Sequence, residues 1–309
     1  MSEPTIATPE TSTRCGFVAL VGAPNAGKST LLNALVGAKV SIVTPKVQTT
    51  RTRITGIAME GRAQLVFVDT PGIFVSTKRR LERAMVASAW AGASDADQIV
   101  VVIDAARNAL GEDVERILKG LAEAKRPAML ALNKIDLVPR EELLPRIAEL
   151  NQIFPFSETF LISAEKGDGV ARLREHLAKI VPEGPWLFAE DDLSDLPQRM
   201  LAAEVTREQL FLNLHAEVPY DLSVETEAWQ DFKDGSAKIQ QVIYVRRDSQ
   251  KMIVLGKGGQ TIKAIGANAR RQLEAQLGRR VHLFLFVKVR DNWQDDPDRF
   301  RGMGLDWVE

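Results

Sequence analysis

The chain has 309 residues, enough to bury one or two cores, and a formal net charge of −1, which excludes a molecule that is basic throughout. With 45% hydrophobic and 26% charged residues it has the composition of a folded globular protein. The single cysteine, Cys15, excludes a disulfide framework or a cysteine-held metal and fits a reducing cytosol, and the apolar runs are strand-sized, too short to span a membrane.

Residues 1–14 are rich in Ser, Thr and Pro and lack the basic start and long apolar stretch of a signal peptide, so they are expected to form a disordered tail. An apolar run, Phe17 to Val21, follows. After it comes Gly22-Ala23-Pro24-Asn25-Ala26-Gly27-Lys28-Ser29, then a helix-compatible run from Thr30 to Val36. Strand, glycine loop and helix N-terminus make an anion cradle, because backbone N–H groups turn inward and the helix dipole adds positive potential. Lys28 can reach β- and γ-phosphates, and the Ser29 hydroxyl can ligate Mg²⁺.

From residue 15 to 182, short β-branched runs alternate with longer amphipathic segments. The runs are Phe17–Val21, Ile54–Ala58, Leu65–Val68, Gln98–Ile103, Met129–Leu132 and Phe160–Ile162. This pattern predicts an α/β domain with a mostly parallel sheet covered by helices on both faces. Only the second and third runs are joined by a tight turn, at Glu60-Gly61, which makes that pair antiparallel. A ligand in such a sheet sits at the carboxyl ends of the strands.

The remaining motifs fall at those ends. Asp69-Thr70-Pro71-Gly72 ends the third run, where Asp69 can hold Mg²⁺ through water and the Gly72 N–H can meet a γ-phosphate. Asn133-Lys134-Ile135-Asp136 ends the fifth. Asp136 can accept two bonds from the N1–H and exocyclic amine of guanine, a donor pair that adenine lacks, so the nucleotide is GTP. Asn133 and Lys134 would brace the loop and cover the ring. Ser163-Ala164-Glu165 ends the sixth run, with the Ala164 N–H expected at guanine O6.

Between the first helix and second strand lies a polar stretch, Lys39 to Arg53, containing Gln48-Thr49-Thr50-Arg51. A loop of that length is usually functional. One of its threonines should complete the Mg²⁺ shell with Ser29 and Asp69; Thr50 is favoured, with Thr49 the alternative. A second switch segment runs from Ile73 to about Arg80, and both are expected to order with GTP and relax after hydrolysis. Ile73 stands where many switch GTPases carry a water-orienting Gln, so intrinsic hydrolysis should be slow. The catalytic set is therefore read as Asn25, Lys28, Thr50 and Gly72, with Asn25 a candidate K⁺ ligand in place of an arginine finger.

Val181 to Pro185 breaks the preceding helix, and residues 183–196 read as a proline-stiffened linker. A second module, 197–296, begins with a helix from about Gln198 to Leu214 carrying Leu201, Val205 and Leu212 on one side. Strands from Asp221 to Trp229 and Lys238 to Val245 follow, then a short helix, Lys251 to Leu255, the turn Gly256-Lys257-Gly258-Gly259, a helix with Ile262, Ile265, Ala269, Leu273 and Leu277 at helical spacing, and a strand, Val281 to Val289. The glycine turn lets a nucleic-acid backbone approach. From Lys257 to Arg290 eight cations stand against Glu274 alone, a polyanion footprint in a near-neutral chain. Lys257, Lys263, Arg270 and Arg271 are its candidate RNA contacts. The element order resembles a type II KH domain, which clamps about four nucleotides of single strand. Residues 297–309 read as a C-terminal tail.

A guanine-type P-loop domain followed by a type II KH domain resembles the Era family of bacterial GTPases over nearly the whole chain after Arg14. The residues that carry the resemblance are Gly22 to Ser29, Gln48 to Arg51, Asp69 to Gly72, Gly256 to Gly259 through Lys263, Val287 to Trp293 and Gly304-Leu305-Asp306. The resemblance implies binding near the 3′ end of small-subunit ribosomal RNA during 30S-type subunit assembly. It also implies a cytoplasmic protein with loose peripheral contact at the inner membrane. The chain is expected to act as a monomer, with nucleotide state and RNA binding reciprocally coupled. A membrane- or protein-docking signalling GTPase is the alternative reading of the basic module.

Overall fold

The computed structural model describes residues 12–46, 49–51, 54–73, 80–107, 110–194, 196–215 and 217–291. Gln48, most of the second switch segment, the N-terminal tail before residue 12 and the C-terminal residues from 292 lie outside them.

The first module runs β1 (Arg14–Val21), α1 (Lys28–Val36), β2 (Ile54–Glu60), β3 (Ala63–Asp69), α2 (Arg80–Asp95), β4 (Gln98–Asp104), α3 (Glu112–Glu123), β5 (Met129–Asn133), α4 (Arg140–Ile153), β6 (Thr159–Leu161) and α5 (Val170–Ile180). Its six-stranded sheet has the order β2-β3-β1-β4-β5-β6, parallel except for β2 with β3. Period-two alternation splits β1 between two cores. Val18 and Leu20 pack under α1 and α5, while Ala19 and Val21 pack under α2, α3 and α4. Along α3, Val114, Ile117, Leu118 and Leu121 form one buried stripe, and each such large side chain contributes about 1.5–3 kcal/mol on burial. The chain leaves β1 toward β2 and β3 on one side and toward β4 on the other. The carboxyl end of β1 is thus the switch point where α/β sheets bind ligands.

The second module runs α6 (Gln198–Asn213), β7 (Ser223–Asp231), β8 (Ala237–Val245), α7 (Asp248–Leu255), α8 (Gln260–Leu277) and β9 (Val281–Val289). Its three strands are ordered β7-β8-β9, antiparallel then parallel. Ile265, Ala269 and Leu273 of α8 bury against Ile239, Ile243 and Val281 of the sheet.

Several local expectations change. Strand β1 starts at Arg14 rather than Phe17, because it pairs with β3 from Arg14 against Ala63 onward. Within the stretch read as a linker, residues 183–194 pack on the first module. Glu183 bridges Arg14, and buried Gln64 accepts from the Leu187 and Phe188 N–H groups at 2.8 and 3.0 Å. The Ile57 N–H donates to the Leu193 carbonyl, so this segment covers the outer edge of β2, which would otherwise offer unpaired backbone groups. On α6, Val205 is buried but Leu212 is 47% exposed. The helix is buried instead along Ala202, Leu210 and Phe211 and along a polar strip, Thr206 to Glu208, because both modules pack on it.

Candidate nucleotide and RNA sites

The loop between β1 and α1 turns through left-handed backbone at Asn25 and Gly27. Glycine at 22 and 27 is required sterically: a β-carbon at Gly22 would lie 2.5 Å from the Val102 carbonyl oxygen, and one at Gly27 would lie 2.2 Å from Asn133 Nδ2. Helix α1 has no side-chain cap and no acid in its first turn, so its first N–H groups and dipole face the loop unopposed. Lys28 Nζ donates to the carbonyls of Gly22 and Ala23 at 2.9 and 3.0 Å. Burial lowers its pKa to about 8, against the pull of Asp69.

Ser29, Thr50 and Asp69 converge at the mouth of this loop. Ser29 Oγ donates to Asp69 Oδ2 at 2.6 Å, Thr50 Oγ1 donates to the same oxygen at 3.2 Å, and the two hydroxyls are 2.9 Å apart. Asp69 is fully buried, and its Oδ1 has no hydrogen-bond partner among the described residues. Burial pushes its carboxyl above the ordinary range, against Lys28 and the three hydroxyls. Hydroxyls beside a desolvated carboxylate with a free oxygen are a hard-cation donor set, and they fit Mg²⁺. Thr49 is elsewhere: its hydroxyl pairs with Thr44 Oγ1 at 2.6 Å and donates to the Lys46 carbonyl at 2.7 Å.

Gly72 lies against the loop, where a β-carbon would come within 3.2 Å of Pro24 backbone atoms. Thr70 Oγ1 donates to the Leu20 carbonyl and Pro71 is buried, which ties β3 to β1 at this end. Ile73 is fully buried in the core shared by Ala23 and α2, and its N–H donates to the Gly22 carbonyl at 3.4 Å. Glycine 72 and Thr30 line the same open cleft, of about 630 Å³, as Lys28, Thr50, Lys134 and Glu165.

On the guanine side, Asn133 is buried and bridges two loops. Its Nδ2 donates to the Ala26 carbonyl at 2.9 Å, and its Oδ1 accepts the Ala164 N–H at 3.0 Å. The N–H expected at guanine O6 thus donates to Asn133 here. Lys134, in left-handed backbone, donates to the Asn25 carbonyl at 2.9 Å and to Asp104 Oδ2 at 2.6 Å. Asp136 is held below the usual carboxylate range by a hydrogen bond with Ser163 and by Lys166, whose Nζ is 3.3 Å away.

Sequence reasoning missed Ser41 and Asp104. Ser41 Oγ donates to Asp69 at 3.1 Å, and Asn33 fixes it by accepting from the Val40 and Ser41 N–H groups. Asp104 ends β4, where a carboxylate before a turn carried no signal of its partner Lys134. Arg51, the last residue of the Gln48-to-Arg51 stretch, sends its side chain into the second module, where it donates to the Leu222, Pro219 and Tyr220 carbonyls.

In that module, the turn from Gly256 to Gly259 has left-handed backbone at Gly258 and Gly259 and is solvent-facing at Lys257 and Gly258. Lys263, Arg270 and Arg271 are exposed on α8, and no carboxylate pairs with them among the described residues. Met252 and Ile253, 66% and 50% exposed, leave apolar surface open just before the turn. The charge bias is weaker in space than in sequence. Arg279 pairs with Asp231 at 2.8 Å and Lys288 with Glu227 at 3.0 Å, both acids supplied by β7.

Residues 17–134 match a family described as 50S ribosome-binding GTPase, and residues 217–294 match the KH domain family. GTPase Era of Rhizobium meliloti is 60% identical over 295 residues, 96% of this chain and 94% of that protein. GTPase Era of Afipia carboxidovorans is 59% identical over 96% of this chain and 95% of its own length. Aquifex aeolicus Era bound to GDP.AlF4⁻ superposes with a TM-score of 0.89 at 39% identity, covering 94% of this chain and 99% of that one. An Era structure with MgGDPNP and nucleotides 1506–1542 of 16S ribosomal RNA gives the same score, identity and coverage. At this similarity over nearly its whole length, the chain belongs to the Era family of GTPases.

Proposed function

We propose that this chain binds and hydrolyses GTP and uses the nucleotide to control binding of single-stranded ribosomal RNA near the 3′ end of the small subunit, during assembly of a 30S-type particle. The observation that carries the reading is the convergence of Ser29, Thr50 and Asp69 at the mouth of the phosphate loop, within 3.2 Å of one another. Bound there, Mg²⁺ would offset charge on the β- and γ-phosphate oxygens. Lys28 would neutralise the same oxygens, and the Gly72 N–H would meet the γ-phosphate. Water attacks the γ-phosphorus, the bond to the β-bridging oxygen breaks, and GDP and phosphate leave. Ile73 is buried, so no side chain at that position orients the water, and turnover is slow.

Asn25 is solvent-facing and in left-handed backbone at the cleft. We assign it the role of a K⁺ ligand that assists hydrolysis; equal turnover in K⁺ and Na⁺ refutes that role. The protein acts in the cytoplasm as a monomer, with peripheral contact at the inner face of the membrane through its basic module; no helix among the described residues is long and apolar enough to cross a membrane.

The function is tested by titrating the full chain with a labelled oligonucleotide of the small-subunit rRNA 3′ end, in GDP and in a non-hydrolysable GTP analogue with Mg²⁺. The expected result is binding that depends on the nucleotide and exceeds that of a scrambled sequence. Binding to anionic vesicles but not to RNA would instead favour the membrane-docking reading.

A further inference from the structure

Helix α6 carries polar side chains that a free-standing KH module would leave in water. Thr206, Arg207 and Glu208 are all buried. Thr206 is used inside its own module, donating to Gln241 Oε1 at 2.6 Å. Arg207 and Glu208 face the loop that carries Thr50.

Among the described residues, the side chains of Glu208, Lys46, Arg207 and Arg51 join the loop to the second module. Glu208 accepts from Lys39 Nζ at 2.7 and 2.8 Å and from the Val43 N–H at 2.8 Å. Lys46 Nζ hydrogen-bonds the carbonyls of Phe211 and Leu214 at the end of α6. Arg207, braced by Glu204, donates to the Thr49 carbonyl. Arg51 is 2% exposed and donates to the carbonyls of Leu222, Tyr220 and Pro219 at 2.6, 3.1 and 3.2 Å. The ring of Phe211 lies near both guanidiniums, 5.7 Å from that of Arg51 and 5.3 Å from that of Arg207. Thr50 therefore has its preceding carbonyl and its following side chain gripped by the KH module, while its own hydroxyl faces Asp69.

We infer that the KH module acts in cis as the positioning element for Thr50, with Arg51 and Glu208 as its positioning residues, so that preference for GTP over GDP is built by both modules together. The proposal rests on the reading of Thr50 as the residue that senses the γ-phosphate. Ordering a polar loop costs about 1–2 kcal/mol of backbone entropy per residue, a cost the nucleotide alone would otherwise offset. Docking the loop on α6 preorganises it before GTP arrives. GDP, which lacks the γ-phosphate, gains nothing from a fixed Thr50. The junction also reaches the RNA side: Glu208 Oε2 accepts from Gln272 Nε2 of α8 at 2.7 Å, next to Arg271 on the same helix. Whatever moves the loop pulls on the helix that carries the candidate RNA contacts, and the effect runs equally in reverse.

The test uses the full chain and its Arg51→Ala, Arg51→Lys and Glu208→Gln variants. Affinities for GDP and for a non-hydrolysable GTP analogue are measured in Mg²⁺, and RNA affinity is measured in each nucleotide. Arg51→Ala and Glu208→Gln should each weaken the GTP analogue at least about fivefold more than GDP and flatten the nucleotide dependence of RNA binding. Arg51→Lys, which keeps the charge but loses the planar fork, should fall between wild type and Arg51→Ala. A residue that only supports the fold would weaken both nucleotides alike. Equal losses, or an unchanged preference, in either Arg51→Ala or Glu208→Gln overturns the proposal. A wild-type chain that fails to bind GTP at all would instead refute the function on which it rests.

Discussion

Asn133 fills the space that any side chain on residue 27 would need, its Nδ2 standing 2.2 Å from where a β-carbon on Gly27 would sit. The amide is there to join two loops, donating to Ala26 and accepting from Ala164. Asn133→Ala would orphan a buried carbonyl and a buried N–H, at about 1–3 kcal/mol each. GTP and GDP affinity should both fall at least roughly tenfold with their ratio preserved, and Tm should drop. Nucleotide titration with a melting curve checks this. A loss confined to GTP would show that Asn133 does not clamp the shared part of the site.

Thr50 and Thr49 are adjacent, yet only Thr50 reaches Asp69. Thr50→Ala should slow single-turnover GTP hydrolysis by roughly ten- to hundredfold, the loss of about 1.4–2.7 kcal/mol of transition-state stabilisation. Thr49→Ala removes only hydroxyl contacts to Thr44 and Lys46 within the loop and should cost far less. Comparable losses in the two variants would argue against the geometry at Ser29.

The sheet and both modules were legible because apolar period and glycine placement are local signals. Gly22, Gly27 and Gly72 announce close approach, and Asp69 and Asp136 stand at strand ends where chemistry gathers. Other features were illegible for a physical reason. Arg51 binds backbone carbonyls of residues some 170 positions away, and a carbonyl has no residue identity to read. Ser41 is one serine in a loop, and only the fold brings it to Asp69. The pairing of Lys288 with Glu227 escaped for the same reason, since charge counts along a chain ignore what the neighbouring strand supplies. Leu212 misled because α6 packs on two partners, and its buried strip is partly polar.

A hydrogen bond with Ser163 and the Lys166 ammonium hold the Asp136 carboxyl below the usual carboxylate range, so guanine preference should persist unchanged from pH 7 to pH 5. Inosine triphosphate lacks the exocyclic amine and so loses one of the two bonds to the carboxylate. The wild-type chain should prefer GTP to it by roughly ten- to hundredfold. In Asp136→Asn the charge that made this bond strong is gone, and the preference should shrink to a few fold. Competition titrations at both pH values measure it.

Burial lowers the pKa of the Lys28 ammonium to about 8, against the upward pull of Asp69. Triphosphate favours the protonated form, so the bound pKa is higher than the free one. Below pH 8 the lysine is already charged and affinity is at its full value. Above pH 8 binding must take up a proton, and affinity should fall by up to about tenfold per pH unit until the bound pKa is reached. Calorimetry in buffers of different ionisation enthalpy should register that proton uptake at pH 9 and lose it at pH 7. Lys28→Arg, charged throughout, should lack the pH dependence.

Lys257 in the glycine turn and Lys263 on α8 just after it have no acidic partners among the described residues, whereas Lys288 stands 3.0 Å from Glu227. A lysine that neutralises a phosphate releases counterions, and on a single strand each such contact contributes about 0.7 to the slope of log K against log salt. Lys257→Ala and Lys263→Ala should each flatten that slope by about this amount and weaken RNA of any sequence. Lys288→Ala should change it much less, because Glu227 already offsets that charge. Gly258→Asp should abolish RNA binding at all salt concentrations while leaving GTP affinity intact, since the turn lies in the second module and its exposed backbone bears no core packing. A salt slope insensitive to Lys257 and Lys263 would move the nucleic-acid interface to another face of the module.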